Sequence, residues 1–226
     1  MRIQAIILLC VLMFIAGCSS GPSWSSQPDE HIVRRGETLF AIAWRYGKDP
    51  AEVARWNQLG NGSLIYPGQV IRLTPPRGGS TRSSATSTTK TASKPLPSVP
   101  TQPPPPWIWP APGNVSVQFG GKPGTGTGIL IDGKVGQAVN AAASGTVVYA
   151  GSGLIGYGQL IILKHNDTYL SAYGYNASLL AKEGQTIKKG QRIATMGEGP
   201  ERKARLHFEI RRNGKPVNPR QYLPAR

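Results

Sequence analysis

The chain has 226 residues, with 28 glycines, 20 prolines, 26 basic and 11 acidic residues, and a formal net charge of +15. That length allows one or two small domains, and the glycine and proline content points to turns and linkers. The positive surplus falls on residues 75–106 (+4) and 107–226 (+9) while residues 27–74 carry only +1, so anionic partners are favoured mainly by the second half.

Met1-Arg2 is a short positive start, and residues 3–15 form an apolar run broken only by Gln4. The run is too short to span a bilayer and has the length of a signal-peptide core. It ends in Ile15-Ala16-Gly17-Cys18, which resembles the bacterial lipobox. The resemblance implies that residues 1–17 are removed and that Cys18 is acylated, with a thioether-linked diacylglycerol and an amide-linked chain such as palmitate. Two attachments of this kind hold a protein on a membrane stably. In similar lipoproteins a serine after the cysteine, here Ser19, implies transport to the outer membrane, facing the periplasm. A nucleic-acid partner for the basic charge is disfavoured in that compartment. Cys10 leaves with the signal and Cys18 carries lipid, so no thiol remains for a disulfide, a nucleophile or a metal.

Residues 18–30 read as a tether and residues 31–74 as a compact α+β domain in the order βααβ. His31-Ile32-Val33-Arg34 is a short strand and Gly36-Glu37-Thr38 a turn in which Thr38 can cap the helix that follows. Leu39, Ile42, Ala43 and Tyr46 recur at helical spacing and form one apolar face; Gly47 ends that helix. Asp49-Pro50-Ala51-Glu52 opens a second helix, with Asp at the N-cap, Pro at the first helical position and Glu three residues on. Val53 and Trp56 supply its buried face, residues 60–63 a loop, and Val70-Ile71-Arg72-Leu73 the closing strand.

With Gly36-Glu37-Thr38-Leu39, Ile42-Ala43, Trp56-Asn57 and Ile65-Tyr66-Pro67-Gly68-Gln69, this block resembles a LysM domain. The resemblance implies binding of N-acetylglucosamine-containing glycans such as peptidoglycan. It places the groove between the loop of Gly36, Glu37, Thr38 and Leu39 and the loop of Leu64, Ile65 and Tyr66.

Residues 75–106 are rich in Pro, Ser, Thr and Gly and lack the apolar residues for a core. They read as a disordered linker of contour length about 100 Å, at roughly 3.1–3.3 Å per residue. Residues 107–226 alternate short strands and turns, which predicts a mostly antiparallel β domain. Thr146-Val147-Val148-Tyr149-Ala150 is one strand, and Asn166-Asp167 is a tight turn between two more. Residues 186–194 read as two short strands around Gly190. Leu206, Phe208 and Ile210 alternate with Arg205, His207, Glu209 and Arg211 before an Asn213-Gly214 turn.

Gly136-Gln137-Ala138-Val139, Gly145, Val147-Val148-Tyr149-Ala150-Gly151, Leu206-His207-Phe208-Glu209 and Asn218-Pro219 make this block resemble a LytM-type (M23 family) peptidoglycan endopeptidase domain. Active members hold zinc through His-x-x-x-Asp and the second histidine of His-x-His, with two further histidines beside the metal. Here Gly126 stands in place of the first ligand and Leu130 in place of the aspartate, only His207 is retained, and Tyr175 and Arg205 replace the further histidines. Catalytic residues, a metal and a cofactor are therefore not expected. Lipobox, LysM, linker and degenerate M23 domain together resemble NlpD-type lipoproteins. That resemblance implies a non-catalytic activator of periplasmic N-acetylmuramoyl-L-alanine amidases, acting in septal wall splitting and daughter-cell separation. The expected partner groove is formed by Gly126, Leu130, Tyr173, Tyr175, Arg205 and His207, edged by Arg202 and Lys203. Two other readings stay open: a zinc endopeptidase with unorthodox ligands, Asp132 and His207 among them, and a purely structural envelope tether.

Overall fold

The computed structural model describes residues 28–59, 64–76 and 102–226. Cys18, the signal segment, the 60–63 loop and linker residues 77–101 lie outside the described residues.

The first domain has the expected βααβ order: β1 (Glu30–Ile32), α1 (Leu39–Arg45), α2 (Pro50–Trp56) and β2 (Val70–Arg72). β1 and β2 pair antiparallel, Glu30 opposite Arg72 and Ile32 opposite Val70. Both predicted caps form. Thr38 Oγ1 accepts from the Ala41 amide at 3.1 Å, and Asp49 Oδ1 accepts from the Ala51 and Glu52 amides at 2.9 and 3.1 Å. Each supplies an acceptor to a helix-start N–H that has no partner inside the helix. Val33, Leu39, Ile42, Ala43, Val53, Ala54, Ile71 and Leu73 make the core.

The second domain is one large antiparallel sheet. Its strands are β3 (Val115–Val117), β4 (Ile129–Asp132), β5 (Ala138–Asn140), β6 (Gly145–Gly151), β7 (Gln159–Lys164), β8 (Tyr169–Leu179), β9 (Thr186–Ile187), β10 (Arg192–Met196), β11 (Arg205–Arg212) and β12 (Lys215–Val217). The main path runs β3-β4-β11-β8-β7-β6-β9; β10 joins β5 and β8, and β12 joins β11. Asn166-Asp167 turns β7 into β8, and Asn213-Gly214, both at positive φ, turns β11 into β12. β9 and β10 do flank Gly190, but they join different neighbours, β6 for the first and β5 and β8 for the second. Ile129, Ile131, Ile161, Leu163, Tyr173, Leu206, Phe208 and Ile210 pack in the main core on one side of the sheet.

The expected end of the linker is corrected, and the domains meet. Gln102 and Pro103, read as linker, are fastened to the β7–β8 turn. The Gln102 amide donates to Thr168 Oγ1 at 2.8 Å, the Asp167 amide to Gln102 Oε1 at 3.0 Å, and Asn166 Nδ2 to the Pro103 carbonyl at 3.1 Å. The two domains are also in contact. Ala41 and Trp44 of α1 are buried in a cluster with Tyr149, Leu154, Tyr157, Leu160, Ile162, Leu170 and Ala172, on the sheet face opposite the main core. Phe40 packs against the same cluster. So short a domain has little interior of its own, and this contact buries a second stripe of α1.

Candidate functional site

Three strands build the floor of the M23-type groove. In β11, alternation sends Leu206, Phe208 and Ile210 to the core and Arg205, His207, Glu209 and Arg211 to the opposite face. Register places His207 between Leu130 on β4 and Gly174 on β8. The chain before β4 passes close over it: a side chain at Gly128 would begin 2.4 Å from the Phe208 carbonyl oxygen and 2.9 Å from His207 Cε1. Glycine is required there by this approach.

The space around His207 is filled by apolar and aromatic groups. Leu130 packs with Val117 and Tyr175 in a small buried cluster. The Tyr157 and Tyr175 rings meet the imidazole edge-on, with centroids 5.2 and 5.9 Å away. Gly126 sits at φ +74°, and the nearest atoms to the position a Cβ would take are Gly121 and Gly120 backbone at 3.9–4.0 Å. His207 Nε2 lies 3.1 Å from Glu209 Oε2. Glu209, which is wholly buried, also accepts from Thr127 Oγ1 at 2.6 Å, from the Tyr157 hydroxyl at 3.2 Å and from Arg211 Nε at 2.5 Å. Burial alone would raise its carboxyl; the Arg211 guanidinium, then His207 and Thr127, hold it below the usual carboxylate range.

Of the six residues expected in the groove, the structure gathers Leu130, Tyr175 and His207, with Gly126 in the loop above β4. Tyr173 is corrected. It lies in the main core, wholly buried against Phe208, and its hydroxyl accepts from the Ala142 amide at 2.8 Å and from Ser171 at 2.9 Å. Strict alternation would put Tyr173 and Tyr175 on one face. Tyr175 instead takes φ +61°, which swings its ring to the other side. Arg205 is corrected in part. It is not a free cation at the rim: its Nε meets Asp132 Oδ1 at 2.8 Å and its Nη1 lies 3.5 Å from Glu201 Oε2, with only 8% of the side chain exposed. The same pair accounts for Asp132, which faces Arg205 across the β4–β11 register and not His207.

The glycan loop of the first domain divides similarly. Leu64 and Tyr66 are 64% and 60% exposed, and Ile65 is half-buried against the core. Gly36 makes its turn at φ +82°. Leu39 is corrected: its side chain is buried in the core of the first domain and not on the surface of the loop. Glu37 is a structural hub. It accepts from the Arg34 amide at 2.9 Å, meets His31 Nε2 at 2.7 Å, and accepts from Arg45 Nη1 at 2.7 Å. Burial opposes its charge, yet the Arg34 amide, His31 and Arg45 together lower its carboxyl from 4.5 to about 2. Thr38 is engaged as the cap of α1.

Sequence reasoning missed Thr127, Tyr157, Glu209, Arg211 and Trp44. Glu209 and Arg211 were discoverable, since on an alternating strand they share the face of His207. Trp44 also left a signal: with Phe40 and Ala41 it forms a second apolar stripe on α1, off the face of Leu39, Ile42 and Ala43.

Residues 31–74 match the LysM domain, and residues 124–219 match Peptidase family M23. The NlpD/LppB homologue lipoprotein of Pseudomonas aeruginosa is 44% identical over 234 residues, covering 87% of this chain and 77% of that one. Lipoprotein YgeR of Escherichia coli is 38% identical over 230 residues, covering 97% of this chain and 92% of that one. Murein hydrolase activator NlpD of Salmonella typhimurium is 38% identical over 257 residues, covering 87% of this chain and 68% of that one. A LysM domain followed by an M23 fold, at such identity over 87% of the length, means that the chain belongs to the NlpD/LppB family of lipoproteins.

Proposed function

We propose that this protein is a non-catalytic activator of peptidoglycan-cleaving N-acetylmuramoyl-L-alanine amidases. In this reading acylated Cys18 anchors it to the outer membrane, and the first domain holds it on the glycan through Leu64 and Tyr66 and the backbone of the Gly36 turn. The carrying observation is the donor set around His207. A zinc hydrolase needs three protein ligands and an open position for water. Gly126 has no side chain, Leu130 offers an alkyl group packed on Tyr175 and Val117, and His207 Nε2 is held by Glu209. These residues do not fit the ion. What remains is a closed, apolar site in which Leu130, Tyr175 and His207 are buried, with Ile155 exposed on the neighbouring 152–158 loop. An exposed aliphatic side chain such as Ile155 beside that site can serve as an interface anchor. Several relatives bear the name murein hydrolase activator, which supports the same role.

The test is reconstitution on dye-labelled sacculi, with the purified mature protein, a periplasmic amidase, or both. Dye release is expected only with both, and is expected to vanish when residues 107–226 are removed. Release by the protein alone, together with one equivalent of tightly held zinc, overturns the reading. Full activity of the amidase in its absence overturns it as well.

A further inference from the structure

The contact between the two domains leads directly to the groove. Arg211 is buried, its guanidinium carbon lies 3.4 Å from the Trp44 ring centroid, and its Nη1 donates to the Trp44 carbonyl at 2.8 Å. Its Nε holds Glu209 Oε1, while Glu209 Oε2 holds His207. Arg211, Glu209 and His207 are successive residues on one face of β11, so the seat of the first domain and the groove floor are neighbours on one strand. Tyr157 forms a second link. Its ring meets Trp44 edge-on with centroids 6.5 Å apart and meets His207 in the same way at 5.2 Å. Its hydroxyl lies 3.2 Å from both Thr127 Oγ1 and Glu209 Oε2. Leu154, on the same loop as Tyr157, is buried in the interdomain cluster. The β11–β12 turn closes the edge of the seat. A side chain at Gly214 would begin 2.8 Å from the Lys48 and Asp49 backbone.

We propose that the first domain is a conformational latch on the M23 groove, with Trp44 on Arg211 as its catch. While it is seated, Arg211 has a stacking partner above and a carboxylate beside it, and this fixes Glu209, His207, Thr127 and Tyr157 in one arrangement. When it leaves, the guanidinium faces water and loses the Trp44 carbonyl, keeping of its carbonyl contacts only the longer one to Gly214 at 3.5 Å. Glu209 then competes with solvent for that cation, and both loops over the groove, 124–128 and 152–158, lose their fixed partners. The coupling runs through one contiguous set of contacts, and it is reciprocal: a ligand that rearranges the groove changes how firmly the first domain is held. This holds whatever partner the groove takes.

Two substitutions open the seat. Trp44 and Ala41 belong to the interdomain cluster and not to the core of the first domain. Trp44→Ala removes the catch, and Ala41→Glu puts a carboxylate against the apolar face. The experiment uses the full mature chain, with Cys18→Ser for solubility. Interdomain distances are read between spin labels at Arg55→Cys and Lys189→Cys, and amide hydrogen exchange is followed in parallel. In both variants the distance distribution is expected to broaden. Exchange in 124–128 and 152–158 is expected to rise about tenfold, the change that roughly 1.4 kcal/mol of lost local stability produces. Protection of α2 is expected to hold, showing that the first domain stays folded. Unchanged distances in both variants overturn the proposal, and so does broadening with no change in loop exchange. If Trp44→Ala exposes α2, the Ala41→Glu chain decides by the same two readings. Loss of α2 protection in both would make the seat part of the domain's own folding and end the latch reading.

Discussion

Glu209 is the residue on which the groove floor is organised, and its ionisation decides whether that floor holds together. It is wholly buried and shared by Arg211, His207, Thr127 and Tyr157. Glu209→Gln would leave a buried guanidinium without its counter-charge, an error that costs about 3–5 kcal/mol. A matching fall in the calorimetric melting temperature is expected. An unchanged melt would mean that Arg211 finds solvent. Glu37 plays a comparable part in the first domain. Its folded carboxyl is lowered from 4.5 to about 2, so its contribution is fully present above pH 4.5 and fades as pH falls toward 2. Glu37→Gln should remove that leg of an acid-unfolding profile followed by circular dichroism. At this scale a motif lets positions be assigned by counting, as for Gly126, Leu130 and His207, and the strand register sets Leu130 opposite His207. Tyr173 could not, because the left-handed backbone of Tyr175 breaks the two-residue period on which the expectation rested. Nor could the engagement of Arg205, which depends on a register between strands far apart in the chain.

Elements were legible in proportion to how local their causes are. Both helices of the first domain carry their caps in the sequence, and Thr38 and Asp49 make the bonds expected of them. The Asn213-Gly214 and Asn166-Asp167 turns were equally plain. The partners of β9 and β10 were not, since two short strands carry too little pattern to specify which neighbours they join. β4 and β11 show how closely elements can be held. Gly128 lets the chain entering β4 cross the Phe208 carbonyl at a distance no Cβ tolerates. Gly128→Ala should push β4 off β11 at a cost of about 1–3 kcal/mol, as overpacking does. Urea unfolding of the intact chain measures it, and a midpoint equal to wild type would show that the loop gives way without the strand.

For the whole molecule, composition revealed two domains and the stretch between them but not their embrace. A linker's residues say how far it can reach and nothing about whether its ends adhere. The apolar stripe of Phe40, Ala41 and Trp44 was the available sign, and it is visible only once the LysM core has been assigned to the other side of α1. Because that stripe is buried on the sheet, the two domains should unfold together. Differential scanning calorimetry of the mature chain is expected to show one transition, split into two by Ala41→Glu; two transitions in the wild type would show that the contact is too weak to couple them. The attachment of Gln102 and Pro103 to the β7–β8 turn bears on a different matter. If the first domain is drawn off the sheet, tension along the chain reaches those three hydrogen bonds before β3. They can peel away one after another and pay out a few residues of slack before any strand is loaded, as a stitched seam yields before the cloth.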